Sequence, residues 1–243
     1  MSRRFVTVGH RGAMAHRPEN SLASFALAEE AGVDQIELDV RMTADGELVV
    51  LHDDTLDRVA ADERGRGRGP VSELTLAELR ETPLASGLPV VTLAEAYEAT
   101  SVEIQAEIKA PACVEAFAAF LRSHPAYAAR TWVTSFHPEP LVALRTLLPD
   151  VPRGLIVGSH PDADGQAALA AALAEIAASA FYCHWTGLTP EHVAHWQGLG
   201  YQVHAWPLRE RDDLERALAW GVDGGTADDP LALLAWLREA ASA

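Results

Sequence analysis

Cysteine is scarce, with only Cys113 and Cys183 in 243 residues. Two thiols so far apart give neither a disulfide framework nor a cysteine metal site. They fit a reduced, cytoplasmic protein with buried thiols. Basic residues are also few: 19 Lys and Arg against 35 Asp and Glu leave a net charge of −16. That balance excludes a nucleic-acid surface, which needs clustered cations. It still admits a small phosphorylated substrate, because a metal ion and one or two basic residues can reverse the sign locally. No apolar run approaches the ~20 residues of a membrane helix. The start, "MSRRFVTVGH", passes from arginines directly into a strand pattern, without a signal-peptide core. The expected partner is therefore a small molecule, with no stable membrane anchor. Among the ten histidines there is no His-x-His pair of the kind some metal-hydrolase barrels use. Internal repeats and low-complexity tails are absent.

What is present is a 49% hydrophobic chain, long enough for one α/β barrel or two smaller domains. Short β-rich runs alternate with Ala- and Leu-rich stretches. Strands are expected at 5–10, 35–40, 47–52, 102–109, 131–136, 153–157, 179–185, 201–207 and 222–227. Thr75 and Thr92 each open "TLAE", a capping box, and Asp229-Pro230 pairs a cap with a first-turn proline. Only "RMTADGE" separates Val40 from Leu48, too short for a parallel crossover. Asp45-Gly46 signals a two-residue type I′ hairpin turn. Run 47–52 should thus fold back on 35–40, leaving eight strands in β/α order. The expected fold is a TIM (β/α)8 barrel forming a single domain over 1–243. It carries an extra hairpin strand and a small insertion at about 53–91, after the second barrel strand. The "RGRGRG" run at 64–69 lacks the lysine and helix of a P-loop and reads as a flexible solvated loop.

Residues two apart on a strand share a face. In "QIELDVR", Glu37, Asp39 and Arg41 therefore point into the barrel; in "VEIQAEIK", Glu103, Gln105, Glu107 and Lys109 do the same. Both strands aim carboxylates inward near their carboxyl ends, where such barrels carry active sites. Glu37, Asp39 and Glu107 would make an all-oxygen site for one divalent cation, Mg²⁺ or Ca²⁺. The competing reading is a salt-bridge cluster with Arg41 and Lys109. Two strands doing this in register favour the metal. The hairpin sets His52 opposite Asp39 or, one step shifted, opposite Glu37, and His10 ends the first strand beside them. Two imidazoles flanking a metal suit general acid and base roles. Arg11 and Lys109 supply charge for a phosphate, and Gly12 lets the backbone approach a ligand closely. Phe136, Trp185 and Trp206, at later strand ends, could wall a substrate pocket or simply pack.

"HRG", "PEN", "ELDV", "DGELVVLHDDTLDR", "EIK", "TSF" and "GVDG" follow one another in an order that resembles the glycerophosphodiester phosphodiesterase family. The resemblance covers essentially the whole chain. It implies a TIM barrel with a small subdomain inserted after His52. It also implies a divalent cation on Glu37, Asp39 and Glu107, with His10 and His52 as the acid–base pair. The chain departs from the family pattern at "VAADERGRG", "VHAWPLRE" and "GGTADDP", segments that touch the leaving-alcohol pocket rather than the metal site. The expected reaction is metal-dependent hydrolysis of glycerophosphodiesters to sn-glycerol 3-phosphate and an alcohol. Its rivals are a lysophospholipase D or C acting on acylated substrates and a non-catalytic phospholigand-binding barrel.

Overall fold

The computed structural model describes residues 4–241. Met1–Arg3 and Ser242–Ala243, the ends of the span expected to form one domain, lie outside the described residues. Eight parallel strands close into a barrel: β1 (Val6–Gly9), β2 (Gln35–Met42), β5 (Glu103–Ile108), β6 (Thr131–Ser135), β7 (Arg153–Val157), β8 (Ala180–His184), β9 (Gln202–Trp206) and β10 (Gly224–Ala227). Each pairs with the next, and β1 pairs with both β10 and β2 to close the ring. Two further strands, β3 (Leu48–Val50) and β4 (Val91–Thr92), extend β2 antiparallel on the outside. Strand β4 has only two residues, too few to show period-2 alternation, so no sequence pattern announces it.

The helices begin where their caps put them. Helix α2 (Leu76–Glu81) starts at the Thr75 capping box and α3 (Leu93–Ala99) at the Thr92 box. Asp229 caps α10 (Pro230–Ala240) with proline at its first position. The principal core lies between barrel and helices: Ile36, Leu38 and Val40 of β2 and Ile104, Ala106 and Ile108 of β5 all face it, fully buried. That placement turns the alternate residues of both strands into the barrel interior. Residues 53–90 pack a separate small core of Leu56, Val71, Leu74, Leu79 and Val90 against Val49 and Leu51 of the hairpin arm. Both cysteines are free and buried. Among the described residues no helix is long and apolar enough to cross a membrane.

Two local expectations are corrected. The hairpin joining β2 to β3 is not a two-residue type I′ turn. Thr43 and Glu47 close it, with Thr43 N–H donating to Glu47 O at 3.0 Å, so three residues form the loop. Only Gly46 takes a positive φ, 85°; Asp45 instead uses its side chain, accepting from Thr43 Oγ1 and from Leu76 N at the start of α2. A three-residue loop ending in a left-handed glycine is the next commonest hairpin connection. It pairs Val40 with Val50, so continuing the ladder sets His52 against Leu38 rather than Asp39 or Glu37. The "RGRGRG" run, in turn, is tied down. Gly67 N–H donates to Asp57 Oδ1 and Arg68 to Glu78 O within α2, while Arg64 and Arg66 stay exposed and pair only inside the loop, with Asp62 and Glu63.

Candidate active site

Strand register sets the centre of the site. Glu37 lies beside Gln105 and Asp39 beside Glu107 across the β2–β5 ladder. One carboxylate oxygen from each of Glu37, Asp39 and Glu107 falls within 4.8 Å of the others, and all three residues are buried. Such a cluster is costly without compensation. Burial, followed by the neighbouring Asp39 charge, pushes the Glu37 carboxyl up to about 8. The same two causes raise Glu107. Burial also works against ionisation of Asp39, but Lys109 and Arg11 outweigh it and hold that carboxyl below its usual range.

The cations are arranged around Asp39. Lys109, the chain's single lysine, sets its ammonium 2.8 Å from Glu107 Oε1 and 3.3 Å from Asp39 Oδ1. Arg11 Nε lies 3.3 Å from Asp39 Oδ2, and its backbone N–H donates to Glu37 Oε2 at 2.9 Å. Asn20 Nδ2 donates to the same Asp39 oxygen at 2.8 Å. Two acceptors remain: Glu37 Oε1 is buried without a hydrogen-bond partner, and Asp39 Oδ1 has only the Lys109 ammonium. Three convergent hard oxygens, with unsatisfied acceptor capacity and a carboxyl pushed far up, fit a divalent cation well. Arg41 is not part of this cluster. Its guanidinium donates through Nε and Nη2 to His52 O, at 3.0 and 2.7 Å.

That Arg41 contact helps place His52. Strand β3 ends at Val50, the last ladder bond runs from Leu51 N to Asp39 O, and the chain then bends over the barrel mouth. His52 reaches the cavity by this bend, not by the cross-strand pairing the sequence suggested. Its Nδ1 lies 2.6 Å from Asp53 Oδ1. His10 leaves β1 to the same cavity, with Nδ1 2.5 Å from Asp228 Oδ1 and Nε2 3.9 Å from Glu37 Oε2. The two imidazoles differ. Burial lowers both, but for His10 the Asp228 hydrogen bond and the Glu37 charge win and the ring is raised above its ordinary value. For His52 burial wins over Asp39 and Asp53, and the ring is lowered.

A cavity of about 190 Å³ opens over the cluster, lined by His10, Arg11, Glu37, His52, Glu107, Phe136 and Trp206, among others. Phe136 and Trp206 meet edge to face at 5.6 Å and wall one side. Trp185 does not join them. It packs edge-on against Trp220 at 5.6 Å and donates Nε1–H to Pro207 O. Gly12 serves close packing rather than a ligand: at φ 84°, a Cβ there would lie 2.6 Å from the Ser24 carbonyl carbon of α1 (Leu22–Ala31).

Sequence reasoning missed the groups that hold the site side chains. Asp53 directly follows His52 in "HDD", and Glu19 and Asn20 form the "PEN" run, so adjacency and motif could have flagged them. Asp228 stands next to Asp229, whose helix-cap role is the stronger local signal. Its contact with His10 spans 218 positions and no local pattern announces it.

Against known proteins, the sequence pattern of the glycerophosphoryl diester phosphodiesterase family matches residues 10–232. The chain is 28% identical over 249 residues to a glycerophosphodiester phosphodiesterase of Caldanaerobacter subterraneus, covering 96% of this chain and 98% of that one. It is 30% identical over 250 residues to the Bacillus subtilis enzyme of the same name, covering 91% and 82%. An Oleispira antarctica phosphodiesterase, solved in complex with the product sn-glycerol-3-phosphate, superposes with a TM-score of 0.82 at 25% identity, covering 96% of each chain. The match begins at His10 and runs into α10, so it takes in every side chain of the cavity just described. The chain belongs to the glycerophosphoryl diester phosphodiesterase family.

Proposed function

We propose that this protein hydrolyses glycerophosphodiesters to sn-glycerol 3-phosphate and an alcohol, with one divalent cation, Mg²⁺ or Ca²⁺, held by Glu37, Asp39 and Glu107. The observation that carries the proposal is the pair of imidazoles at one cavity beside that cluster. Each is anchored through Nδ1 on an aspartate, which leaves Nε2 as its working atom. The related Oleispira enzyme, captured with sn-glycerol-3-phosphate, supports the substrate class.

His52, with its lowered proton affinity, is the general base: Nε2 accepts the proton of the attacking hydroxyl. His10, with its raised affinity, is the general acid: its Nε2 proton passes to the departing alkoxide as the phosphorus–oxygen bond breaks. Arg11 and Lys109 offset the negative charge that develops on the phosphoryl oxygens. Phe136 and Trp206 form the apolar wall against the carbon skeleton. When bound, the cation polarises the phosphoryl oxygens as a Lewis acid.

The test is glycerol 3-phosphate release from glycerophosphocholine, with and without EDTA. Turnover lost on chelation and restored by Mg²⁺ or Ca²⁺ is the expected result. Full turnover by metal-free protein would remove the cation from the proposal. A protein that binds glycerophosphocholine and releases nothing would leave the non-catalytic reading. Neither that reading nor one on acylated substrates gains support from the relatives.

A further inference from the structure

Arg58 lies in the inserted segment, beyond the cavity wall, and its side chain is about half exposed. An exposed arginine ion pair ordinarily contributes little. This one is held at three points. Its Nε donates to Asp53 Oδ2 at 2.5 Å, while Nη1 and Nη2 donate to the two oxygens of Glu19 at 2.7 and 2.8 Å. Both carboxylates have a second task. Asp53 holds Nδ1 of His52, and Glu19 Oε1 accepts from Nη1 of Arg11 at 2.9 Å. One guanidinium thus joins the base and the cavity arginine through one carboxylate each.

We infer that Arg58 is a positioning residue for the reaction proposed above, fixing His52 through Asp53 and Arg11 through Glu19 at once. The geometry requires a guanidinium. The planar fork presents Nε to one carboxylate and two Nη atoms to another, and a lysine ammonium cannot span both in fixed directions. The charge matters as much as the shape. Asp53 and Glu19 are both held low, each first against burial, by hydrogen bonds from Arg58. Without Arg58, two anions would face each other across the gap. Asp53 would be free to turn from His52, and Glu19 would keep only Arg11, drawing it from Asp39. His10 is held from elsewhere: its carboxylate, Asp228, follows β10 and does not belong to the insertion. The insertion therefore holds one histidine of the pair and not the other.

The inference rests on the proposed reaction, so its test carries a readout independent of turnover. In metal-free protein, the ring Cε1–H resonance of His52, assigned with His52→Gln, should shift or broaden in Arg58→Ala, and more than that of His10, which Arg58 reaches only through the charge of Arg11. In turnover, Arg58→Ala should lose about 10–100-fold in kcat/KM, the range seen when an outer partner that orients a working side chain is removed at a metal site. Arg58→Lys should recover little of it, and guanidinium ion in the buffer should restore Arg58→Ala better than ammonium. Adding Asp53→Asn or Glu19→Gln to Arg58→Ala should cost less than either does in the wild type, since each acts on a linkage already broken. An unmoved His52 resonance together with fully additive double variants would overturn the inference, whether or not glycerophosphocholine is the substrate. Wild-type protein that releases no glycerol 3-phosphate, with the resonance shifted as expected, would overturn the reaction and keep the positioning.

Discussion

His10 Nδ1 lies 2.5 Å from Asp228 Oδ1, so the end of the first barrel strand is joined to the end of the last. The contact sits where the barrel closes, at the β1–β10 ladder. It fixes both the tautomer and the tilt of the ring, since an Nδ1–H donated to a carboxylate leaves Nε2 for the substrate. Asp228→Asn should keep the fold and lower kcat by about 10–100-fold with little change in KM. Unchanged kcat would show that His10 needs no such orientation.

The two histidines should give a bell-shaped pH dependence. A base must be unprotonated, and His52 lies below its ordinary value of 6.5, so kcat/KM falls as pH drops through a point on the acid side of 6.5. An acid must be protonated, and His10 lies above 6.5, so activity falls again as pH rises through a point on the alkaline side of 6.5. Asp228→Asn removes the carboxylate charge that strengthens the hydrogen bond to His10 and raises the ring, and should pull the alkaline limb inward, leaving the acid limb in place. A pH–rate profile with limbs that ignore this substitution would reverse or dissolve the assignment.

Cation binding should release protons. In the metal-free site the Glu37 carboxyl is pushed up to about 8 and Glu107 is also raised, so part of the cluster is protonated at neutral pH. A ligand carboxylate must be ionised, so affinity should fall as pH falls below about 8, most steeply on the acid side of neutrality. Calorimetric titration with Ca²⁺ or Mg²⁺ at pH 7, in buffers of different ionisation enthalpy, should show net proton release. Equal apparent enthalpies in all buffers would mean that these carboxylates are not the ligands.

Lys109 offers an independent probe, because an amine reagent can modify only this residue and the N-terminus. Burial lowers its pKa, but Asp39 and Glu107 outweigh that and raise it, holding the ammonium protonated and unreactive. A cation on those carboxylates weakens their hold, so acetylation of Lys109, followed by mass spectrometry, should speed up when Ca²⁺ or Mg²⁺ is added. A rate indifferent to either cation would place the metal elsewhere.

How much of this was legible in the sequence depended on the range of the interaction that set it. Strand parity is local, and it alone brings Glu37, Asp39 and Glu107 to one face. Capping boxes are local too, and the helices at Thr75 and Thr92 begin where they were expected. The hairpin was harder. "ADG" fits two loop lengths, and the choice was made by side-chain bonds from Thr43 and Asp45, the latter reaching α2 across 31 positions. The partners of the histidines were legible only in part. Asp53 is adjacent to His52, whereas Asp228 and the Arg58–Glu19 pair are assembled by barrel closure and by the insertion, which no short pattern encodes.

The hairpin loop yields the last prediction. Gly46 has φ 85°, and nothing lies within 4 Å of where a Cβ would point. A substitution there meets backbone strain and no clash. Valine in the left-handed region costs about 1–3 kcal/mol, whereas asparagine, which tolerates that region, should cost much less. A register slip would be needed to disturb His52, but Thr43, Asp45 and Glu47 lock the loop, and Arg41 holds the His52 carbonyl separately. Gly46→Val should therefore lower the urea midpoint while the folded enzyme keeps near-normal kcat, and Gly46→Asn should be close to wild type in both. If Gly46→Val instead kept its midpoint and lost its activity, the loop would be setting the register after all, and His52 would depend on the turn rather than on Arg41.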